Sequence, residues 1–183
     1  MCKPRRRWFQ FSLRSLFLLT FLVSLGMSWF ATRMQRARQQ KAAVEEIERL
    51  GGDVEYDYAV DQSGNPISGA VPPGPAWLRN LLGNDFFATV VEANFLSSSS
   101  VTDASLGHLK RLTQLQRLFL CRTKVTDAGL EHLNGLTKLR ELKLSDTKVA
   151  DEGVKRLQQA LPNCEINHAT YKQDVWTCAP ARL

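Results

Sequence analysis

The N-terminal part of this chain lacks acidic residues, and its most apolar stretch lacks charge altogether. No aspartate or glutamate precedes Glu45, and the run from Ser15 to Thr32 contains no charged side chain. The whole chain has only 3 histidines and 4 cysteines, and it carries no phosphate-binding loop, nucleophile elbow or zinc-protease motif. These absences leave no converging set of nucleophile, base and metal ligands. Catalysis is therefore the least favoured class of function, and no cofactor is expected.

The uncharged run predicts a transmembrane helix. Its 18 residues extend about 27 Å as a helix, close to the hydrocarbon thickness of a bilayer. Trp8 and Arg14 on one side and Trp29 and Arg33 on the other are predicted to lie at the two membrane interfaces. A cleaved signal peptide is the alternative interpretation. An uncleaved anchor is favoured because the apolar run continues past the weak cleavage site at Ser24.

The positive charge of the chain belongs to the flanks of this run. The net charge is +6 and the isoelectric point is near 9.4, yet nine of the 24 lysines and arginines precede residue 42, which leaves 15 basic and 18 acidic residues in the remainder. The basic flanks are expected to meet anionic lipid headgroups, and nucleic acid is not an expected partner. Five basic residues precede the run and four follow it before Glu45, a bias that favours a cytoplasmic N-terminus and an exported C-terminal domain.

A 24-residue internal repeat dominates the second half of the chain. The segment LTQLQRLFLCRTKVTDAGLEHLNG is followed at once by LTKLRELKLSDTKVADEGVKRLQQ, and each copy carries L-x-x-L-x-L ahead of V-T-D-A-G-L or a close variant. A third, degenerate copy precedes them, with Val101-Thr102-Asp103 in the position of Val125-Thr126-Asp127. About three stacked units are near the minimum that buries a continuous core.

These motifs resemble the leucine-rich-repeat family, and the V-T-D-A-G-L phrase is similar to that of F-box-associated and bacterial members. The resemblance implies an α/β solenoid, with parallel strands on one face and helices on the other. It also implies a module that binds a protein partner through variable surface residues.

Side chains alternate along each predicted strand, so the residues between the leucines point away from the core. Residues 24 apart then become neighbours, which places Phe95 beside Phe119, Phe119 beside Lys143, and Arg117 beside Glu141. Ordinary sheet stabilisation and a binding surface are both compatible with this set. In the second interpretation these five residues form the centre of a concave sheet face that contacts an unknown protein partner.

Asp103, Asp127 and Asp151 recur at the start of each predicted helix, and we interpret them as helix N-caps because a repeated structural need explains a repeated residue. His108 and His132 are also one repeat apart, so repetition explains them better than metal binding does.

The cysteines give an odd count on the repeat side of the anchor. A disulfide between Cys164 and Cys178 and isolated thiols are both compatible with the spacing. Cys121 is predicted to be a free thiol on the concave face.

The segments around the repeats are predicted to cap the solenoid, through a strand near Val54, an exposed Gly/Pro loop and a short helix that begins after Pro75 and ends at Gly83. The predicted divisions are a basic N-terminal flank (1–14), a transmembrane helix (15–32), a juxtamembrane helix (33–50), an N-terminal cap with an exposed loop (51–89), leucine-rich repeats with a terminal strand (90–166) and a C-terminal tail (167–183).

The leading hypothesis for function is a single-pass membrane protein that presents a short repeat module for non-catalytic protein–protein interaction. The alternative is an intracellular adaptor or substrate-recognition subunit of the ubiquitin-ligase-receptor type, which the repeat subclass resembles. The first is favoured because no F-box-like helical segment precedes the repeats and an apolar helix stands in its place.

Overall fold

The computed structural model of the protein describes residues 13–61, 65, 67, 69–95 and 100–168, with side chains described from residue 16 onward. The chain divides into two compact units, Met1–Arg36 and Ala37–Leu183. Most of the predicted C-terminal tail lies outside the described residues.

The first unit contains the N-terminal part of helix α1 (Leu13–Arg49), which continues without a break into the second unit. Its large apolar side chains between Leu16 and Phe30 are exposed. The helix is long and apolar enough to cross a membrane, with a mean hydropathy of 1.5 over its most apolar window and none of that window buried. Three hydroxyls in this stretch donate to carbonyls one turn earlier, which satisfies them within the helix: Thr20, Ser24 and Thr32.

The second unit is a five-stranded sheet with its helices in the connections between strands. The strand order is β1-β2-β3-β4-β5, with β1 antiparallel to β2 and the remaining pairs parallel. After α1 the elements are β1 (Asp53–Tyr56), α2 (Ala76–Leu82), a 3-10 turn (Asn84–Phe86), β2 (Val90–Asn94), α3 (Asp103–Leu109), β3 (Arg117–Phe119), α4 (Asp127–Leu130), a 3-10 turn (Glu131–Leu133), β4 (Glu141–Lys143), α5 (Asp151–Ala160) and β5 (Glu165–Asn167).

The repeat is visible in the backbone as well as in the core. Leu118 pairs with Leu142 in the sheet, and both are fully buried in one continuous cluster of repeat leucines and valines. The chain leaves β3 and β4 through equivalent residues, Arg122 and Asp146, which both have a left-handed backbone with φ of 59°. The sequence prediction of an α/β solenoid with parallel strands is confirmed.

The predicted alignment of the first repeat is wrong by one residue. Asn94, not Phe95, pairs with Phe119, and Phe95 is 2% exposed within the core. Five residues separate Phe95 from Val101, whereas four separate Leu120 from Val125. A constant spacing of 24 therefore turns Phe95 to the wrong side of the sheet, because each one-residue shift reverses the direction of every side chain.

The N-terminal end of the solenoid is covered by the second half of α1 together with β1. Ala43, Val44 and Ile47 on α1 are buried in the same core cluster as Phe95. Gly52 lies so close to Phe95 that a Cβ atom there would sit 2.7 Å from the ring. These contacts make the last turns of α1 part of the solenoid core.

A polar junction joins this cap to the first parallel strand. Asp85 accepts hydrogen bonds from Gln40 on α1 at 3.0 Å and from the hydroxyl of Tyr56 on β1 at 3.2 Å. Burial, followed by the nearby Asp85 carboxylate, raises the pKa of Tyr56 above its usual range. The phenol therefore stays protonated and continues to donate to Asp85.

A candidate binding face on the sheet

Two rows of side chains cross the side of the sheet that points away from the buried leucines. We call these ten residues the outer sheet face. The first row is Glu55, Glu92, Arg117, Glu141 and Glu165, and the second row is Asp53, Asn94, Phe119, Lys143 and Asn167. Five carboxylates and two cations share this surface, so the face is acidic.

Both cations of the face already have partners on it. The Arg117 guanidinium lies 2.7 Å from the Glu92 carboxylate, and 7% of the Glu92 side chain is exposed. Lys143 lies 3.3 Å from Glu141 and also sits over the ring of Phe119, 5.0 Å from its centroid. The sequence predicted Arg117 beside Glu141, and they are neighbours in the register, but the ion pair forms with Glu92 on the other side.

Glu92 is a buried carboxylate on this face. Burial raises its pKa, and the neighbouring Arg117 opposes that rise. A buried charge of this kind depends on its partner, because an unpaired carboxylate away from water is costly.

Phe119 is on the outer face as predicted, but it is not an exposed aromatic. Only 3% of the residue is accessible, whereas Glu165 is exposed and 35% of the Glu141 side chain is accessible. The accessible acids of the face are therefore Asp53, Glu165 and part of Glu141, and the aromatic centre that the sequence suggested is not exposed.

The cysteines differ from the prediction. Cys121 is disulfide-bonded, and its partner lies outside the described residues. Cys164 is a free, buried thiol. The prediction of a free thiol at Cys121 is therefore wrong, because Cys121 is bonded. The considered pairing of Cys164 with Cys178 is also wrong, because Cys164 is a free thiol buried in the core.

The three repeated aspartates are not N-caps. The N-cap positions belong to Thr102, Thr126 and Ala150, and each aspartate is the first residue of its helix. The caps fall one residue earlier because the residue before each aspartate has the extended backbone that an N-cap requires.

Each aspartate that has a following repeat bonds to it. Asp103 accepts from the backbone N–H of Thr126 at 2.8 Å and from its hydroxyl at 2.7 Å. Asp127 accepts from the N–H of Ala150 at 2.7 Å and lies 3.3 Å from Arg156. We call this arrangement the aspartate ladder, defined by Asp103 and Asp127 and the backbone amides that they bind.

The end residue of the series differs from the other two. The Asp151 side chain is 79% exposed and meets His168 at 3.5 Å. No further repeat follows it within the part of the chain that the structure describes, and its exposure marks the C-terminal edge of the stack.

The predicted membrane-interface residues fall partly outside the described chain. Trp8 lies outside it, and Arg14 lies within α1 with no described side chain. Trp29 is 65% exposed and Arg33 is exposed on the same helix. Among the residues the structure describes, no three histidine, cysteine or acidic side chains come together as a metal site.

The repeat spacing, the parallel register and the continuous leucine core define this unit as a short leucine-rich-repeat solenoid preceded by one long apolar helix. No protein-family model matches the sequence, and the search of curated proteins found no match. Among solved structures the chain is similar to an internalin (inlF) from Listeria monocytogenes, with 29% identity and a TM-score of 0.29 over 36% of this chain and 18% of that one.

Sequence reasoning missed the acidic row and the aspartate ladder. The row includes Glu55 on an antiparallel strand and Glu92 in the misaligned repeat, so a constant spacing of 24 does not find them. The ladder did leave a signal, because glycine follows the aspartate by two residues only in the copies that have a preceding repeat. Ser105 stands in the first copy where Gly129 and Gly153 stand in the others.

Proposed function

We propose that this protein is a single-pass membrane protein whose repeat unit binds another protein through the outer sheet face, with no catalysis of its own. The observation that carries the proposal is the pair of accessible carboxylates, Glu141 and Glu165, on a face where Arg117 and Lys143 are both engaged with neighbouring side chains. These carboxylates favour a partner that presents basic side chains.

Two features support an exported location for the repeats. More basic residues precede the apolar run than follow it before Glu45, which favours a cytoplasmic N-terminus and basic flanks that contact anionic lipid headgroups. A disulfide at Cys121 supports an oxidising compartment for the repeats. Both features favour an exported, anchored repeat unit over an intracellular adaptor.

Charge reversal on the face tests the binding proposal. We expect the double variant Glu141→Lys with Glu165→Lys to lose the partner that the tagged full-length protein retains after cross-linking in its own membranes. Both side chains are accessible enough to be replaced without opening the core. Arg117 and Phe119 are unsuitable targets, because one holds Glu92 and the other is buried.

The matched control reverses two exposed acids in the connections between strands, Glu131→Lys with Glu152→Lys. The net charge changes equally in both double variants, so a nonspecific charge effect predicts equal loss. Retention by the control and loss by the face variant support the proposal, and unchanged capture by the face variant contradicts it.

A further inference from the structure

Helix α2 presents an apolar face to solvent. In the described part of the second unit, every exposed large apolar side chain lies between residues 67 and 81. Trp77 and Leu81 are four residues apart, so they lie on the same side of α2, and they are 68% and 73% exposed. Val71, in the loop that leads to the helix, is 74% exposed. We call Val71, Trp77 and Leu81 the cap patch.

The other helices of this unit behave differently. Helices α3, α4 and α5 each bury residues against the core, whereas α2 buries none. The segment is nevertheless held in place, because the Arg79 guanidinium donates to the carbonyl of Pro72 at 2.6 Å. Three residues after α2, Asp85 accepts from Gln40 on α1 at 3.0 Å. The cap patch is therefore an ordered surface that adjoins α1.

The charges around the cap patch suit a lipid surface. Residues 69–84 contain a single charged side chain, the cation of Arg79. The carboxylate that follows, Asp85, is engaged with side chains inside the cap junction. Arg38 and Lys41 are exposed on α1 on either side of Gln40. Tryptophan, aliphatic side chains and cations without exposed carboxylates are the composition of a membrane–water interface.

We propose that the cap patch inserts into the headgroup region of the bilayer that α1 crosses. This inference depends on the proposed membrane anchor, and it holds for either orientation of that anchor. Gln40 follows Thr32, the end of the uncharged run, by eight residues, which amount to about 12 Å of helix. The headgroup layer occupies about 5–8 Å of that length, so the chain keeps the cap within reach of the lipid surface.

The anchor makes a small patch sufficient. Three side chains bind a membrane only weakly and reversibly when they act alone. A tether turns this weak contact into an intramolecular one with a high effective concentration. The contact then limits how the repeat unit turns relative to the lipid surface, while α1 supplies the attachment itself.

Quenching of Trp77 by brominated lipid tests the inference. The full-length protein with Trp8→Phe, Trp29→Phe and Trp176→Phe retains Trp77 alone. It is reconstituted in vesicles of phosphatidylcholine and phosphatidylglycerol, with or without phosphatidylcholine brominated on the acyl chain near the headgroup. We expect brominated lipid to remove most of the Trp77 emission. Adding Leu81→Asp is expected to restore much of it, because the charge lies on the same exposed face.

Two further proteins serve as controls. One keeps Trp29 and carries Trp77→Phe, so its quenching reports insertion of the anchor. The other lacks all four native tryptophans and carries Gln159→Trp, which places the reporter at an exposed position of α5. Quenching of Trp77 and Trp29 without quenching at position 159 supports the inference.

The remaining outcomes overturn it in different ways. Quenching of Trp29 without quenching of Trp77 overturns the inference and leaves the anchor intact, whereas an unquenched Trp29 overturns both. Blue-shifted but unquenched Trp77 emission assigns the cap patch to contact with a second copy of the chain. Equal quenching at Trp77 and at position 159 shows that the contact is not specific to the cap.

Discussion

Burial sets the chemistry of the one free cysteine in the described repeats. Cys164 is 4% exposed, and burial followed by the charges of Glu141 and Glu165 raises its pKa from 9.0 to about 11. The thiolate is the reactive form, so a raised pKa protects the residue from alkylation and exchange.

We expect Cys164 in the folded protein to react with iodoacetamide at pH 8 about 100-fold more slowly than in the urea-unfolded protein. The rise in its pKa from 9.0 to about 11 reduces the thiolate fraction by about that factor. Labelling followed by digestion measures the two rates at one site. Equal rates in the folded and unfolded protein would show that the thiol is accessible.

The same shift gives stability a dependence on pH. A raised pKa in the folded state contributes stability that is fully present below pH 9 and is lost as pH rises towards about 11. We expect the thermal midpoint of the wild-type protein to fall more steeply across this window than that of Cys164→Ala. Parallel profiles for the two proteins would contradict the assignment.

The Arg117–Glu92 pair predicts a loss of stability on mutation that is larger at pH 7 than at pH 5. Arg117→Leu leaves Glu92 buried without its cation, and we expect the free energy of unfolding at pH 7 to fall by about 3 kcal/mol. The loss is expected to shrink towards pH 5, because the Glu92 pKa rises further in the variant and protonation removes the unpaired charge. Urea unfolding of the full-length protein in detergent at the two pH values measures the difference.

Arg156→Leu is the control for this experiment. Arg156 also pairs with a carboxylate, that of Asp127, but its side chain is 67% exposed. Solvent screens such a pair, so the expected loss is under about 1 kcal/mol. An equal loss in the two variants would show that burial of Glu92 has no special effect.

Between repeats, the aspartate ladder explains the V-T-D-x-G phrase. The aspartate of one unit accepts from the backbone amide of the N-cap residue of the next helix, and the glycine of that helix leaves room for the carboxylate. A Cβ atom at Gly153 would lie 2.5 Å from the Asp127 carboxylate, and one at Gly129 would contact the Asp103 carboxylate. The residues named by the motif therefore serve the junction between two units rather than a single helix.

Replacement of the ladder residues tests this role. We expect Asp127→Ala to lower the free energy of unfolding by about 1.5–3 kcal/mol, since the Ala150 amide loses a charged acceptor. Asp151→Ala is expected to change it by less than about 0.5 kcal/mol, because its side chain is exposed and bonds to no following repeat in the described chain. Similar losses at the two positions would contradict the ladder and favour a cap within each helix.

Glycine substitutions test the same junction from its other side. Gly153→Ala is expected to destabilise the protein by about 1–3 kcal/mol through overcrowding of Asp127. In the Asp127→Ala background most of that cost is expected to disappear. Gly107→Ala is the control, because its Cβ meets nothing within 4 Å and a helical alanine is expected to stabilise by about 0.5–1 kcal/mol. Unfolding midpoints of the four variants give the coupling directly.

Across the whole molecule, α1 has two separable roles along its length. Apolar side chains such as Leu25 are exposed in the first unit, whereas Ile47 is 1% exposed in the solenoid core. We expect removal of residues 1–36 to release the protein from membranes and leave its unfolding midpoint unchanged. Ile47→Ala is expected to keep the protein in the membrane fraction and lower the free energy of unfolding by about 2–5 kcal/mol. A lower midpoint for the truncated protein would show that the first unit supports the second.

Sequence periodicity predicted the solenoid because every repeat buries leucines at the same offsets. It failed at Phe95, because the following loop is one residue longer than in the other repeats and the register therefore shifts by one. That shift reverses the side of the sheet to which Phe95 points. Cysteine spacing failed for a different reason, since nothing in the spacing distinguishes the bonded Cys121 from the free Cys164. The acidic row likewise required the antiparallel β1, which lies outside the repeat.

The aspartate ladder also gives the stack a direction in which it can lengthen. Each junction needs only an aspartate in the preceding unit and a glycine in the following unit. Residues 125–148 carry one of each, as Asp127 and Gly129. A duplicate of these 24 residues placed after Lys148 meets Asp127 on one side and Gly153 on the other, so both new junctions reproduce existing ones. Gene duplication in whole units of 24 can therefore widen the sheet by one strand at a time while the two ends of the domain keep their sequences.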